Sequence, residues 1–281
     1  MSLLSYIKAS LARKKARRVF QNFGYRIDRF ELRDEGVIEF ANWLNPLVAP
    51  KEITQVEINF FKEIIAEGSL VIDIGANTGD LTVPMSIAAG KSGMVLGVDP
   101  NTQVFAILEA NASLNKDKAN IVPLQVAATE TDGEFFFASS EASFSNGGLV
   151  NEEKDNVHGK YKLKQKVKGV NLEAYLKKYY PEWLPKISLI KVDTEGNDLN
   201  VLKTLNQVIA DFKPNIIAEV FPTLSKEERD ELFNFLNNHG YSIFDVSHLD
   251  LTKTVERKQV LSASQMAPPS VASNVLAIYK G

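Results

Sequence analysis

Three groups of residues in this 281-residue chain have the types and spacing to do chemistry. The first is Asp73-Ile74-Gly75-Ala76-Asn77-Thr78-Gly79, directly after the apolar run Val71-Ile72. A strand that ends in so bare a turn lets a ligand lie against the backbone. The second is Asp99 with Pro100, at the end of the next apolar run, 20 residues past Gly79. A carboxylate at that place can accept hydrogen bonds from both hydroxyls of a ribose. The third is acidic: Asp193 and Glu195 in "IKVDTEG", with Glu219 in "NIIAEVF".

The glycine spacing separates two ligands. A dinucleotide site uses G-x-G-x-x-G to bring a pyrophosphate to a helix N-terminus. Here the pattern is D-x-G-x-N-x-G, and Asp73 would repel a pyrophosphate while suiting an ammonium group. With Asp99 on the ribose, an amino-acid-bearing nucleoside fits best, and S-adenosylmethionine is one. Gly75, Asn77, Gly79 and Pro100 would shape its loops, with Gly75 where a side chain would collide with the ligand. Ala127, beside Ala128, would leave room for the adenine. Methyl transfer from a sulfonium needs in-line alignment and, for a hydroxyl acceptor, a proton acceptor. Asp193, and after it Glu195, is the candidate. Lys191, inside its strand, is expected to pair with a carboxylate. Two rival readings are an NAD-binding Rossmann oxidoreductase and a non-catalytic nucleoside-binding protein of the same fold.

Composition narrows the classes. The 32 Lys and Arg against 35 Asp and Glu give a net charge of −3, so no global basic field points to nucleic acid. The absence of cysteine excludes disulfides and thiolate metal sites. With three histidines, His158, His239 and His248, no metal site is expected. No apolar run approaches the 18 residues of a membrane span, and no signal-peptide pattern is present, so a cytoplasmic location is expected.

The elements that position these residues alternate. Residues 1–53 read as a basic helical appendage, whose run Arg13 to Arg18 suggests peripheral contact with an anionic membrane. Residues 54–281 read as the main domain. Thr54 caps a helix with Glu57 at capping-box spacing, and Gly68 stands at its end. Strands over 70–75, 94–99, 121–129, 133–139, 187–193 and 215–221 alternate with helices, one of them continuous over 198–212. Ser225 and Gly240 bound the last helix. Residues 139–169 read as a surface loop or lid. His158 in it is a candidate base, Ser143, Ser145 and Asn146 are candidates for lining an acceptor pocket, and one of Phe135, Phe136 and Phe137 for stacking on adenine. Such alternation gives an α/β, doubly wound, mostly parallel sheet with the ligand crevice at the strands' carboxyl ends, here seven-stranded with an antiparallel edge.

"VIDIGANTGDLT", "GVDPNTQVFAILEANASLN", "IKVDTEGNDLNVLKTL" and "PNIIAEV" together resemble the FkbM-type family of S-adenosylmethionine-dependent methyltransferases, over roughly residues 55–246. The most specific marks are Asn77 and the block Lys191 to Gly196. The resemblance implies the class I methyltransferase (Rossmann-like) fold and O-methylation of a hydroxyl on a sugar, glycan or secondary metabolite. Asp99 stands where many members carry Glu, and Asn171 where the family often has Asp.

Overall fold

The computed structural model describes residues 3–150, 160–246, 255–266 and 273–280. The chain opens with α1 (Leu3–Ala16), then a hairpin of β1 (Tyr25–Leu32) and β2 (Gly36–Trp43). The first α/β units follow: α2 (Gln55–Ile64), β3 (Leu70–Ile74), α3 (Thr82–Ala89), β4 (Met94–Val98), α4 (Thr102–Ser113) and β5 (Ile121–Leu124). Short strands come next: β6 (Ala127–Ala128), β7 (Gly133–Ser139), β8 (Gly148–Val150), β9 (Tyr161–Lys162) and β10 (Val167–Val170). The last part comprises α5 (Leu172–Tyr179), β11 (Ile187–Val192), α6 (Asp198–Thr204), α7 (Asn206–Phe212), β12 (Asn215–Val220), α8 (Lys226–Asn238), β13 (Tyr241–Asp245), β14 (Lys258–Val260) and β15 (Ser273–Tyr279).

The central sheet has eight strands in the order β14-β13-β15-β12-β11-β3-β4-β5. The run from β5 to β12 is parallel, and β15 lies antiparallel between β12 and β13. The reversed strand is therefore internal, and β14 adds an edge strand beyond the seven expected. All five residues of β3 and of β4 are buried, as continuous apolar runs between two helical layers must be. Successive strands step outward from β3 through β4 to β5, and the chain then returns to the other side of β3 with β11. That reversal, between β3 and β11, is the topological switch point where ligands bind in such sheets.

Four segments differ from the sequence expectation. The strand expected over 121–129 splits into β5 of the central sheet and β6 of a smaller one. The first 53 residues are not a helical appendage throughout. Ile38 and Phe40 of β2 pack with Ile58 of α2 and Val83 of α3, so the hairpin is built into the core. Phe30 and Leu32 of β1 pack against the same cluster from its edge. Helix 198–212 breaks at buried Leu205, whose N–H donates to the Leu202 carbonyl three residues back, tightening the turn between α6 and α7. Residues 127–150 and 160–170 carry a second, small sheet of β6, β10, β7 and β8, with β9 paired to β7, so strands enter the segment expected to be a loop or lid. His158 lies outside the described residues.

Caps hold as expected at Thr54, which accepts from the Glu57 N–H at 3.2 Å, and at Ser225, which forms a reciprocal capping box with Glu228. Glu57 itself is fully buried and paired with Lys51 Nζ, and burial lifts its carboxyl to about 7, against the pull of Lys51 and of the Thr54 backbone N–H. The helix from Thr54 ends by Ile65, ahead of Gly68, which serves a separate left-handed turn.

Candidate active site

A cavity of about 460 Å³ opens at the carboxyl ends of β3, β4 and β11. Gly75 and Asn77 line it after β3, Asp99, Pro100 and Asn101 after β4, and Asp193 to Asn197 after β11. Ala127 and Ala128 line a further wall, and Phe137 with Asn146 to Leu149 of the small sheet close it.

Each group is held by local chemistry. Asn77 is left-handed, with φ 49°, and its backbone N–H donates to Asp99 Oδ2 at 2.8 Å. The Asn101 N–H donates to Asp99 Oδ1, also at 2.8 Å. Each Asp99 oxygen therefore accepts one backbone N–H and keeps a lone pair to accept a further donor. Burial lifts the Asp99 carboxyl to about 6, against the pull of those two N–H groups, so it is ionised at neutral pH. Asn101 caps α4 by accepting from the Gln103 N–H, and its side-chain amide donates to the Phe144 carbonyl at 2.8 Å, pinning the 139–146 segment beside the cavity.

On the other flank, Asp193 is bonded through its N–H to the Ile74 carbonyl at 3.0 Å. Its side chain is 42% exposed at the cavity rim. Glu195 is left-handed, with φ 57°, and Gly196 follows with φ 96°. A non-glycine residue in that region costs about 1–2 kcal/mol, and such residues gather where a site over-determines the backbone. The loop is fixed by Asp198, almost fully buried, which accepts from the Thr194 N–H and hydroxyl and from the Glu219 N–H. Burial, then the nearby Asp193, lifts Asp198 to about 6. Burial, then Asp193, Asp198 and Glu195, lifts Glu219 to about 8. Glu219 Oε2 is buried with no hydrogen-bond partner.

The buried Lys191 links the two flanks. Its Nζ lies 3.2 Å from Asp73 Oδ1 and 3.3 Å from Asp193 Oδ2, and it donates to the Gly75 carbonyl at 3.2 Å. Burial alone would lower the Lys191 pKa; Asp73 and Asp193 outweigh it and hold the pKa above the ordinary value.

Seven of the nine expected site residues line the cavity: Gly75, Asn77, Asp99, Pro100, Ala127, Asp193 and Glu195. Asp73 and Gly79 do not. Asp73 is fully buried beneath the loop, ion-paired with Lys191 and accepting from the Thr82 hydroxyl at 2.6 Å, so the ammonium it meets in this structure is that of a lysine. Gly79 has φ 95°, and a β-carbon there would press on Leu108 of α4 at 3.2 Å, so it serves helix packing. At Gly75 the obstacle is the chain itself, because a β-carbon would overlap the Asp193 carbonyl oxygen. Of Ser143, Ser145 and Asn146 only Asn146 reaches the cavity, and of the three phenylalanines only Phe137. Asp198, Asn101 and Thr194 were not singled out from the sequence. Asn101 carried a signal in the cap pattern P-N-T ahead of an apolar run, and Asp198 a weaker one as a first-turn acid.

The strand order, with one reversed strand inserted beside β12 and a cavity at the switch point, defines a class I, Rossmann-like methyltransferase fold. The family model "Methyltransferase FkbM domain" matches residues 73–243, and the chain belongs to that family. Methyltransferase sdnD of Sordaria araneosa is 24% identical over 222 residues, 68% of this chain and 85% of its own length. The solved methyltransferase FkbM from Methylobacillus flagellatus KT aligns at 14% identity over 78% of this chain and 50% of that one, with a TM-score of 0.41. Aeropyrum pernix fibrillarin, solved with natively bound S-adenosyl-L-methionine, aligns at 13% identity over 92% and 95%, also with a TM-score of 0.41. The cofactor of this family is S-adenosylmethionine. The residues fit it: a buried, ionised carboxylate with lone pairs to spare faces a cavity walled on another side by two alanines.

Proposed function

We propose that this chain methylates a hydroxyl oxygen of a sugar, glycan or secondary metabolite, with Asp193 taking or orienting the hydroxyl proton. One observation carries the reading. Two different carboxylate environments face one cavity from strands β4 and β11, which flank β3. Asp99 is buried and backbone-bound, suited to holding ribose hydroxyls in a fixed geometry. Asp193 is half-exposed at the rim, suited to meeting an acceptor from solvent.

In this reading Asp99 binds the cofactor ribose, Gly75 and Asn77 form the floor, and Pro100 and Ala127 border the nucleoside. The bound cofactor supplies a methyl already activated by its sulfonium. The chain's own residues orient the acceptor, and Asp193 accepts the proton with Glu195 beside it. Lys191 keeps the Asp193 carboxylate in place without entering the cavity. Asp193 and Glu195 make this rim acidic. An uncharged, hydroxyl-bearing acceptor suits such a rim, whereas a phosphate backbone would be repelled from it.

The test is label transfer from methyl-labelled cofactor across sugars, glycans and metabolites, repeated with Asp193→Asn on an acceptor so found. The variant keeps cofactor affinity and loses about 100- to 10,000-fold in kcat. Full turnover by Asp193→Asn would remove Asp193 from the chemistry. Transfer only to nitrogen or carbon acceptors would refute the hydroxyl.

A further inference from the structure

We propose that α1 docks on the surface of an anionic lipid bilayer. The helix is seated the wrong way round for a soluble protein. Its small residues Ala9 and Ser10 are half-buried and Ala16 is buried, while its large apolar side chains point out. Leu4, Tyr6 and Leu11 are 72%, 60% and 60% exposed, and Ile7, Val19 and Phe20 are also exposed. A cluster of large apolar side chains left in water marks an interaction surface.

Charge selects the occupant. Residues 3–24 carry six cations, Lys8, Arg13, Lys14, Lys15, Arg17 and Arg18, and no carboxylate, in a chain whose net charge is −3. The apolar side chains fill the first turns of α1 and the cations concentrate in its last. A bilayer with anionic headgroups accommodates both, the apolar end at the acyl boundary and the cations among the headgroups. A second copy of this chain would set six cations against the same six cations.

The chain directly after the helix is tied to the cavity wall. The Ala142 N–H donates to the Arg17 carbonyl at 3.2 Å, Arg17 pairs with Glu141 at 3.4 Å, and Phe20 meets Phe144 edge to face at 6.3 Å. The same segment continues into Asn146 to Leu149, which line the cavity. Docking through α1 therefore holds the cavity close to the bilayer surface.

The test is co-sedimentation of the full chain with phosphatidylcholine–phosphatidylserine vesicles and with phosphatidylcholine alone. Binding is expected to the anionic vesicles, at least about tenfold stronger than to the neutral ones, and weakened by salt. Two triple variants, Leu4→Ser/Ile7→Ser/Leu11→Ser and Lys14→Glu/Lys15→Glu/Arg18→Glu, each lose about tenfold or more, with melting temperature and S-adenosylhomocysteine affinity unchanged. Absence of binding to anionic vesicles by the folded chain overturns the proposal. So does binding that survives both variants, or a dimer that the serine variant dissolves without any vesicle binding. Because the readout is vesicle binding, its failure leaves the methyl-transfer reading untouched.

Discussion

Gly75 and Asp193 meet backbone to backbone: a β-carbon on Gly75 would overlap the Asp193 carbonyl oxygen, and the Gly75 φ of 78° lies in the left-handed region. The loop after β3 and the loop after β11 are thereby locked together at the switch point. The two flanks of the cavity are one rigid unit, and glycine is required where they touch.

Gly75→Ala therefore acts first on the fold. The variant must shift the Asp193 backbone or give up the left-handed turn, and a loss of about 2 kcal/mol or more is expected. Urea unfolding of the variant checks this. Unchanged stability together with lost cofactor binding would restore a purely ligand-facing role for Gly75.

Lys191→Met removes the cation that, among the described residues, is paired with buried Asp73. Removing one partner of a buried pair typically costs about 3–5 kcal/mol, because the other charge is left uncompensated. Asp73→Asn in the same background should recover part of that loss. Chemical denaturation of the single and double variants measures the coupling, and simple additivity would show that the two groups do not act as a pair.

How much of this was legible in the sequence follows from how local each signal is. The parallel strands, Asp99 at a strand end and the Asp193–Glu195 step are written in runs of a few residues. At Asp73 the spacing reads as a ligand contact and says nothing of Lys191, which is 118 positions away and which only the pairing of β3 with β11 brings alongside. At Gly75 the sequence points to a collision with the ligand, whereas the crowding atom in the structure belongs to the Asp193 backbone, distant in sequence. The β1–β2 hairpin escaped notice because its buried face is defined by helices α2 and α3, which come later in the chain.

Glu219 gives a pH dependence with a definite sign. Its folded pKa, about 8, lies above its ordinary value of 4.5, so the folded state holds the proton more tightly. Stability from this group is intact below the ordinary value and falls as pH rises toward about 8. Glu219→Gln removes that fall. The melting-temperature advantage of the variant should grow from about pH 5 to about pH 9. An advantage that shrinks over that range would contradict the assignment.

The central claim is that the cavity at the ends of β3, β4 and β11 holds the cofactor through Asp99, and calorimetry of S-adenosylhomocysteine binding tests it most directly. Charge-assisted bonds to the ribose hydroxyls contribute roughly 1.5–3 kcal/mol each, so Asp99→Ala should weaken binding at least about tenfold. Wild-type affinity should itself decline below about pH 6, where Asp99 takes up a proton. Equal affinity of a folded Asp99→Ala variant and the wild-type chain would place the cofactor elsewhere and contradict the account.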